Sequence, residues 1–155
     1  MFDLIPVHSG PNLDEAWKLF TEYARSLNFS LCFQGLDLEL QQLPGPYTPP
    51  DGRLYIAVQD GSTAGCIALK RLGPGICEMK RLYVRPEFRG RGLARRMAQR
   101  LISDARAEGY EFMRLDTIGA LMPEAMALYR SLGFNEIPPY YDNPVPGATY
   151  LELKL

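Results

Sequence analysis

Apolar residues recur along this chain with two periods, and the switches between them mark its elements. Phe2 to Val7 reads as a first strand. Ser9-Gly10-Pro11-Asn12 is turn chemistry, and Asn12 offers a capping side chain to a following helix. Leu13, Trp17, Phe20, Ala24 and Leu27 then recur at helical spacing. They predict a helix over 13–27 whose buried face includes Trp17. Leu36, Leu40 and Leu43 predict a shorter helix, with Asp37 and Glu39 in the first turn where the helix dipole favours negative charge. The proline-rich run 44–50 fits neither a helix interior nor a central strand and predicts a stiff loop. From 53 the period drops to two: Leu54, Ile56 and Val58 alternate with Tyr55 and Ala57. Asp60-Gly61 is a hairpin signal, Ala64 to Leu69 is the return strand, and Gly73-Pro74-Gly75 turns into a third strand over 76–84. Three strands joined by short turns make an antiparallel meander.

The helical period returns with Leu93, Met97 and Leu101, flanked by Ala94, Ala98, Ile102 and Ala105, which predicts a helix over about 91–107 ended by Gly109. A crossover of that length to a strand at 112–116 implies parallel pairing. Pro123 opens another helix, with Ala125, Leu128, Tyr129 and Leu132 on its apolar stripe and Gly133 closing it. A short strand over 134–137, a proline- and tyrosine-rich loop over 138–147 and a last strand over 149–154 complete the chain. The order is β-α-α-β-β-β-α-β-α-β-β: an α/β (α+β) fold with a mixed, mostly antiparallel sheet flanked by helices.

Composition narrows the function. At 155 residues the chain reads as a single domain over 1–155, large enough for a real core. Its net charge of −1 disfavours nucleic-acid binding, and no aromatic platforms interleave its arginines. It has no apolar run of membrane-span length, and its first residues lack the pattern of a signal peptide. Cys32, Cys66 and Cys77 show no metal-ligand spacing and read as reduced structural thiols. Together these predict a cytoplasmic protein with no metal, no nucleic acid and no membrane. His8, the single histidine, reads as a turn or surface residue rather than a base.

The chemistry concentrates between the strand over 76–84 and the helix that follows it. Pro86 ends the strand, and Arg89-Gly90-Arg91-Gly92 leads straight into the helix. The glycines permit backbone conformations that a Cβ blocks, and the first amides of the helix have no intrahelical partners. Such a turn binds anions, phosphates above all. It is not a nucleotide-hydrolase phosphate loop, because no Gly-Lys-Ser/Thr follows. It also fails the dinucleotide pattern, because Arg95 stands where a third glycine is needed. Arg95, Arg96 and Arg100 add a basic helix face, of which Arg100, like Arg106, reads as merely solvated.

Strand, then Val84-x-Pro86-x-x-Arg89-Gly90-x-Gly92-x-Ala94, then a long helix resembles the acetyl-CoA-binding core of the GNAT N-acetyltransferases. The family pattern Arg/Gln-x-x-Gly-x-Gly/Ala is met by Arg89, Gly92 and Ala94, and the block Ala127 to Phe134 is similar to the family's later helix and turn. The resemblance implies acetyl-CoA as co-substrate, with its pyrophosphate on the segment Gly90, Arg91, Gly92, Leu93, Ala94 and Arg95, assisted by Arg89. It implies that Leu82, Tyr83 and Val84 pair with the pantetheine arm along an edge splayed from the parallel neighbour. Tyr129 matches the family's general acid. Two carboxylates compete for the general base: Glu78, read as sharing a face with Lys80, Leu82 and Val84, and Asp116, at the end of the parallel strand. Met122 stands where the family often has Asn. Tyr47, Tyr141 and Asp142 are candidate acceptor contacts, and Cys77 lies on the strand face opposite Glu78, against a covalent route. The implied activity is direct transfer to a small-molecule amine in a ternary complex, with a homodimer left open because similar proteins are commonly dimers. The rival reading is a non-catalytic acyl-CoA sensor on the same fold.

Overall fold

The computed structural model describes residues 1–27, 35–119 and 122–155, so Cys32 lies outside the described residues. The elements are β1 (Asp3–Pro6), α1 (Pro11–Ser26), α2 (Leu36–Gln42), β2 (Arg53–Gln59), β3 (Ser62–Gly73), β4 (Ile76–Val84), α3 (Leu93–Ala107), β5 (Phe112–Ile118), α4 (Pro123–Ser131), β6 (Asn135–Ile137) and β7 (Ala148–Lys154). They form one seven-stranded sheet in the order β1-β2-β3-β4-β5-β7-β6. Among the described residues, only β4 and β5 run parallel. The alternation of β2 serves two layers at once. Leu54 and Ile56 join a core with Ala16, Leu19 and Phe20 of α1. Tyr55 and Ala57 join the core with Met97 and Leu101 of α3. Among the described residues, no helix is long and apolar enough to cross a membrane.

Two expectations for α1 fail. Asn12 is not its cap: Gly10 precedes the helix and Pro11 occupies the first turn, where a missing N–H costs little. Trp17 is not core either, being 46% exposed, whereas Ala16, Leu19 and Phe20 are fully buried. The helix carries two overlapping apolar stripes that share Phe20. Periodicity alone does not choose between them; packing against Cys66 and Ala68 of β3 does.

The feature that shapes the molecule is a bulge in β4. Cys66 pairs with Tyr83, but Ala68 pairs with Lys80, so one residue of β3, Ile67, faces two of β4, Arg81 and Leu82. Arg81 takes the strain at φ 58°. An L-residue pays about 1–2 kcal/mol for that left-handed conformation. Its compensation is a buried ion pair: Nε donates to Glu39 Oε2 at 2.8 Å and Nη2 to Oε1 at 3.1 Å. The hydroxyl of Tyr47, itself fully buried, donates to the same Glu39 at 2.7 Å. The bulge reverses the alternation, so Leu82 and Val84 join Cys77 and Met79 in the α3 layer. Glu78 and Lys80 therefore do not share a face with Leu82 and Val84, contrary to the period-two reading.

From Lys80 onward the sheet opens. β4 and β5 pair only at Ile76–Phe112, Cys77–Met113 and Glu78–Arg114. β5 stays paired to β7 along its whole length, up to Ile118–Ala148. On its other edge β4 stays against β3. A Cβ at Gly65 of β3 would lie 2.5 Å from the Tyr83 carbonyl oxygen, so this close approach requires glycine.

Glu39→Ala removes the acceptor for both Arg81 and Tyr47. It is expected to lower stability by about 3–5 kcal/mol in urea unfolding, as breaking one side of a buried pair does.

Candidate active site

The divergence of β4 from β5 leaves a cleft of about 590 Å³. β4 forms one wall and β5 with α4 the other, and the glycine turn stands at one end. Arg85 N donates to Ala64 O at 2.8 Å, so antiparallel alternation turns the N–H and C=O of Val84 away from β3 and toward the opening. Arg89 Nε reaches that carbonyl at 2.9 Å, and its guanidinium lies 5.9 Å from the Tyr83 ring centroid. Arg85 ties the same corner to α1 through Glu22, at 2.6 and 2.9 Å.

At the turn, Gly90 and Gly92 have φ of 77° and 78°. Gly92 caps α3 without any side-chain bond, and a Cβ there would meet open space. The first-turn amides of α3 thus face the cleft with no competing side chain. Leu82, Tyr83, Val84, Arg89, Gly90 and Gly92 all line the cleft, as do Leu93, Ala94 and Arg95. Arg91 does not. Its guanidinium turns outward over the Phe88 ring at 5.7 Å and donates to Gln59 at 3.3 Å.

Tyr129 reaches the cleft from α4 and is 8% exposed. The Gly-Phe turn fixes it from behind: Phe134 N donates to its carbonyl at 3.1 Å, and the two rings meet at 5.9 Å. Burial, reinforced by Tyr23 and Asp116, pushes its phenol well above the ordinary value. It stays a neutral donor across the working range of pH.

The structure separates the two carboxylates. Asp116 lines the cleft and accepts hydrogen bonds from the Tyr141 hydroxyl and, at 2.9 Å, from Asn143 Nδ2. Glu78 does not line it. Glu78 shares the sheet face of Arg114 and Asp116 but stands back from the cleft, 3% exposed, accepting the Tyr140 hydroxyl at 2.6 Å and lying 3.7 Å from both Lys70 and Lys80. Tyr47 is also removed from the acceptor contacts, since it is fully buried beside Phe20 and bonded to Glu39. Asp142 lines neither this cleft nor the neighbouring depression; its neighbour Tyr141 is the one turned inward, onto Asp116.

Sequence reasoning missed Tyr23, Lys80 and Asn143, which all line the cleft. Tyr23 follows Phe20 by three positions on α1, and its ring lies 5.9 Å from that of Tyr83. Lys80 and Asn143 lie within segments already singled out, but reading them as site residues needs the bulge and the loop's fold. Met122 lines the cleft too, taking a weak 3.6 Å contact from Thr117 Oγ1 where an amide would bond more strongly. Among the described residues, no cysteine is poised to act as a nucleophile. Cys66 and Cys77 are buried, and burial pushes the Cys77 thiol up to about 12.

Solved acyltransferases share this fold. An acetyltransferase from Streptococcus agalactiae superposes with a TM-score of 0.81 at 21% identity, over 99% of this chain and 98% of that one. A GNAT family acetyltransferase from Elizabethkingia anophelis, solved with acetyl-CoA bound, gives 0.70 at 19% identity, over 99% and 98%. The fold is therefore that of the acyl-CoA N-acyltransferases. The family model for the acetyltransferase (GNAT) family matches residues 14–134. An uncharacterised N-acetyltransferase of Schizosaccharomyces pombe is 42% identical over 93% of this chain and 89% of its own length. The chain belongs to the GNAT acetyltransferase family and is an N-acetyltransferase.

Native protein treated with iodoacetamide near pH ~8, close to the ordinary thiol pKa, is expected to stay unmodified at Cys66 and Cys77 until it is denatured. Peptide mass mapping checks this, and rapid labelling of Cys77 would contradict its burial.

Proposed function

We propose that the chain is an acetyl-CoA-dependent N-acetyltransferase whose 155 residues act as one catalytic domain in the cytoplasm. It moves the acetyl group directly to the primary amine of a small molecule while both substrates are bound. The observation that carries this reading is the continuity of the cleft, which runs from the bare amides of α3 to Tyr129 and Asp116. The acetyl-CoA bound in the Elizabethkingia neighbour supports the choice of co-substrate.

The residues present fit that molecule. The amides of Gly92, Leu93 and Ala94 suit a pyrophosphate, and Arg89 and Arg95 supply positive charge beside them. The outward edge of Val84 offers strand-like hydrogen bonds to an amide-bearing arm and an N–H to an acyl oxygen gaining charge. Acetyl-CoA supplies an activated acyl carbon.

Asp116 faces the amine in this arrangement, and Tyr129 the leaving sulfur. The amine must shed its extra proton to expose a lone pair, and Asp116 takes it, directly or through water. As the C–N bond forms and the C–S bond breaks, Tyr129 donates to the thiolate. Of the two protons the ammonium loses, one ends on the CoA thiol by way of Tyr129 and one passes through Asp116 to solvent. Tyr141 and Asn143 orient Asp116 for this role.

Calorimetric titration is expected to give saturable one-to-one binding of acetyl-CoA. Gly92→Ala should weaken it about tenfold or more, because an alanine at φ 78° costs about 1–2 kcal/mol and crowds the phosphate approach. Absence of binding by the unaltered protein at millimolar cofactor would overturn the reading.

Tyr129→Phe is expected to lower kcat by about 10²-fold or more while leaving acetyl-CoA affinity in place. Because the phenol is raised, the unaltered enzyme should show no descending limb near pH ~10 from Tyr129. A limb there that disappears in Tyr129→Phe would contradict the raised phenol.

A further inference from the structure

One helix lines the cleft without a part in the proposed transfer. Tyr23, Ser26 and Leu27 of α1 stand along it. Tyr23 continues the stripe of Ala16 and Phe20 at helical spacing, and so carries the buried side of α1 from the core to the edge of the opening. Its ring lies 5.9 Å from that of Tyr83. The preceding residue, Glu22, accepts from the guanidinium of Arg85 at 2.6 and 2.9 Å, and Arg85 follows Val84. Tyr23 is therefore tied to the edge of β4 that faces the opening.

Tyr23 and Tyr129 enter the cleft from opposite faces of the sheet. Tyr129 belongs to the layer of α3 and Tyr23 packs in the layer of α1. Met113 and Leu115 of β5 join the α3 layer, so alternation turns Asp116 to the face of α1. Burial raises both phenols above the ordinary value, and Asp116 adds to the rise in each. Among the described residues, neither hydroxyl has a hydrogen-bond partner in the protein, yet no buried side-chain oxygen or nitrogen is left unbonded. Both hydroxyls thus open onto the cleft. Neighbouring polar side chains are engaged with the protein: Arg81 with Glu39, Asn143 with Asp116, and Ser26 with the Tyr23 carbonyl. Tyr129 meets the leaving sulfur from the α3 face. Tyr23 stands on the face of Asp116, where the amine arrives.

We infer that Tyr23 is the second contact of the acceptor nitrogen, its hydroxyl oxygen accepting one N–H of the amine while Asp116 takes the proton. This rests on the proposed acetyl transfer. Loss of a proton to Asp116 leaves the lone pair aimed at the carboxyl, and the nitrogen must turn before it attacks the acyl carbon. An N–H held by Tyr23 is the pivot of that turn. The hydroxyl stays protonated, so it offers its oxygen to the amine without competing for the proton that Asp116 removes. No covalent bond is made or broken at Tyr23.

The test is Tyr23→Phe, which keeps the ring against Tyr83 and removes only the oxygen. Initial rates of CoA release are measured at saturating acetyl-CoA across a panel of primary amines, and the amine with the highest kcat/KM in the unaltered protein is carried forward. In Tyr23→Phe its kcat/KM should fall by about tenfold or more, as the loss of a hydrogen bond to a charged group does, while the calorimetric Kd for acetyl-CoA stays within about twofold and the unfolding midpoint is unchanged. A kcat/KM that Tyr23→Phe leaves intact sinks this inference alone. So does a fall matched by weaker acetyl-CoA binding, which makes Tyr23 a support of Tyr83 and no contact of the amine. No binding of acetyl-CoA by the unaltered protein, or binding with no turnover of any amine, sinks the functional proposal and this inference with it.

Discussion

The buried pair between Arg81 and Glu39 is the constraint on which the functional half of the molecule depends. A non-glycine residue at φ 58° in the middle of a strand is costly, and it persists because α2 delivers a carboxylate to its guanidinium. Three consequences follow from that one bulge. Leu82 and Val84 move into the α3 layer, Glu78 is left on the other face, and β4 turns away from β5 after three paired positions. The cleft is thus a defect in the sheet, stabilised from outside it. Tyr47 and the proline-rich loop belong to the same support, since Tyr47 bonds the carboxylate that bonds Arg81.

The two faces of the opened sheet have different chemistry. On the α3 side stand helix-terminal amides, a glycine turn and a neutral phenol, a set suited to a phosphate-bearing carrier and a leaving thiolate. On the other side stand lysines, an arginine and tyrosines of the 138–147 loop. That loop is fixed by its rings: Tyr140, Tyr141 and Tyr150 meet pairwise at 5.3 to 5.7 Å, and Tyr150 donates to the Tyr141 carbonyl at 2.9 Å. Asp116 stands between the two sides, lining the cleft and bonded to Tyr141 of the other side.

Most of the fold was legible in the sequence because its elements are locally encoded. The hairpin at Asp60-Gly61, the glycine turn before α3 and the proline opening α4 each act within a few residues. The residues at the glycine-turn end of the cleft, Arg91 apart, were legible for the same reason, since turn and helix terminus are contiguous in the chain. Three things were not. The bulge carries no glycine, so strict alternation put Glu78 on the wrong face. Trp17 sits on a stripe as periodic as the buried one, and only the small side chains of β3 decide between them. Tyr47 and Asp142 were read from their loops, but a loop's orientation depends on partners far away in sequence: Glu39 for the first and Asp116 for the second.

The central claim is that the edge of β4 beyond the bulge and the first turn of α3 together hold the acyl carrier. Amide hydrogen exchange, followed residue by residue with and without saturating acetyl-CoA, tests it most directly. The account predicts slowed exchange at Val84 and at the amides of Gly92 to Arg95, with little change on β1 and β6 at the sheet margins. Protection confined to other segments, with exchange at Val84 and the α3 amides unchanged in the bound state, would contradict it.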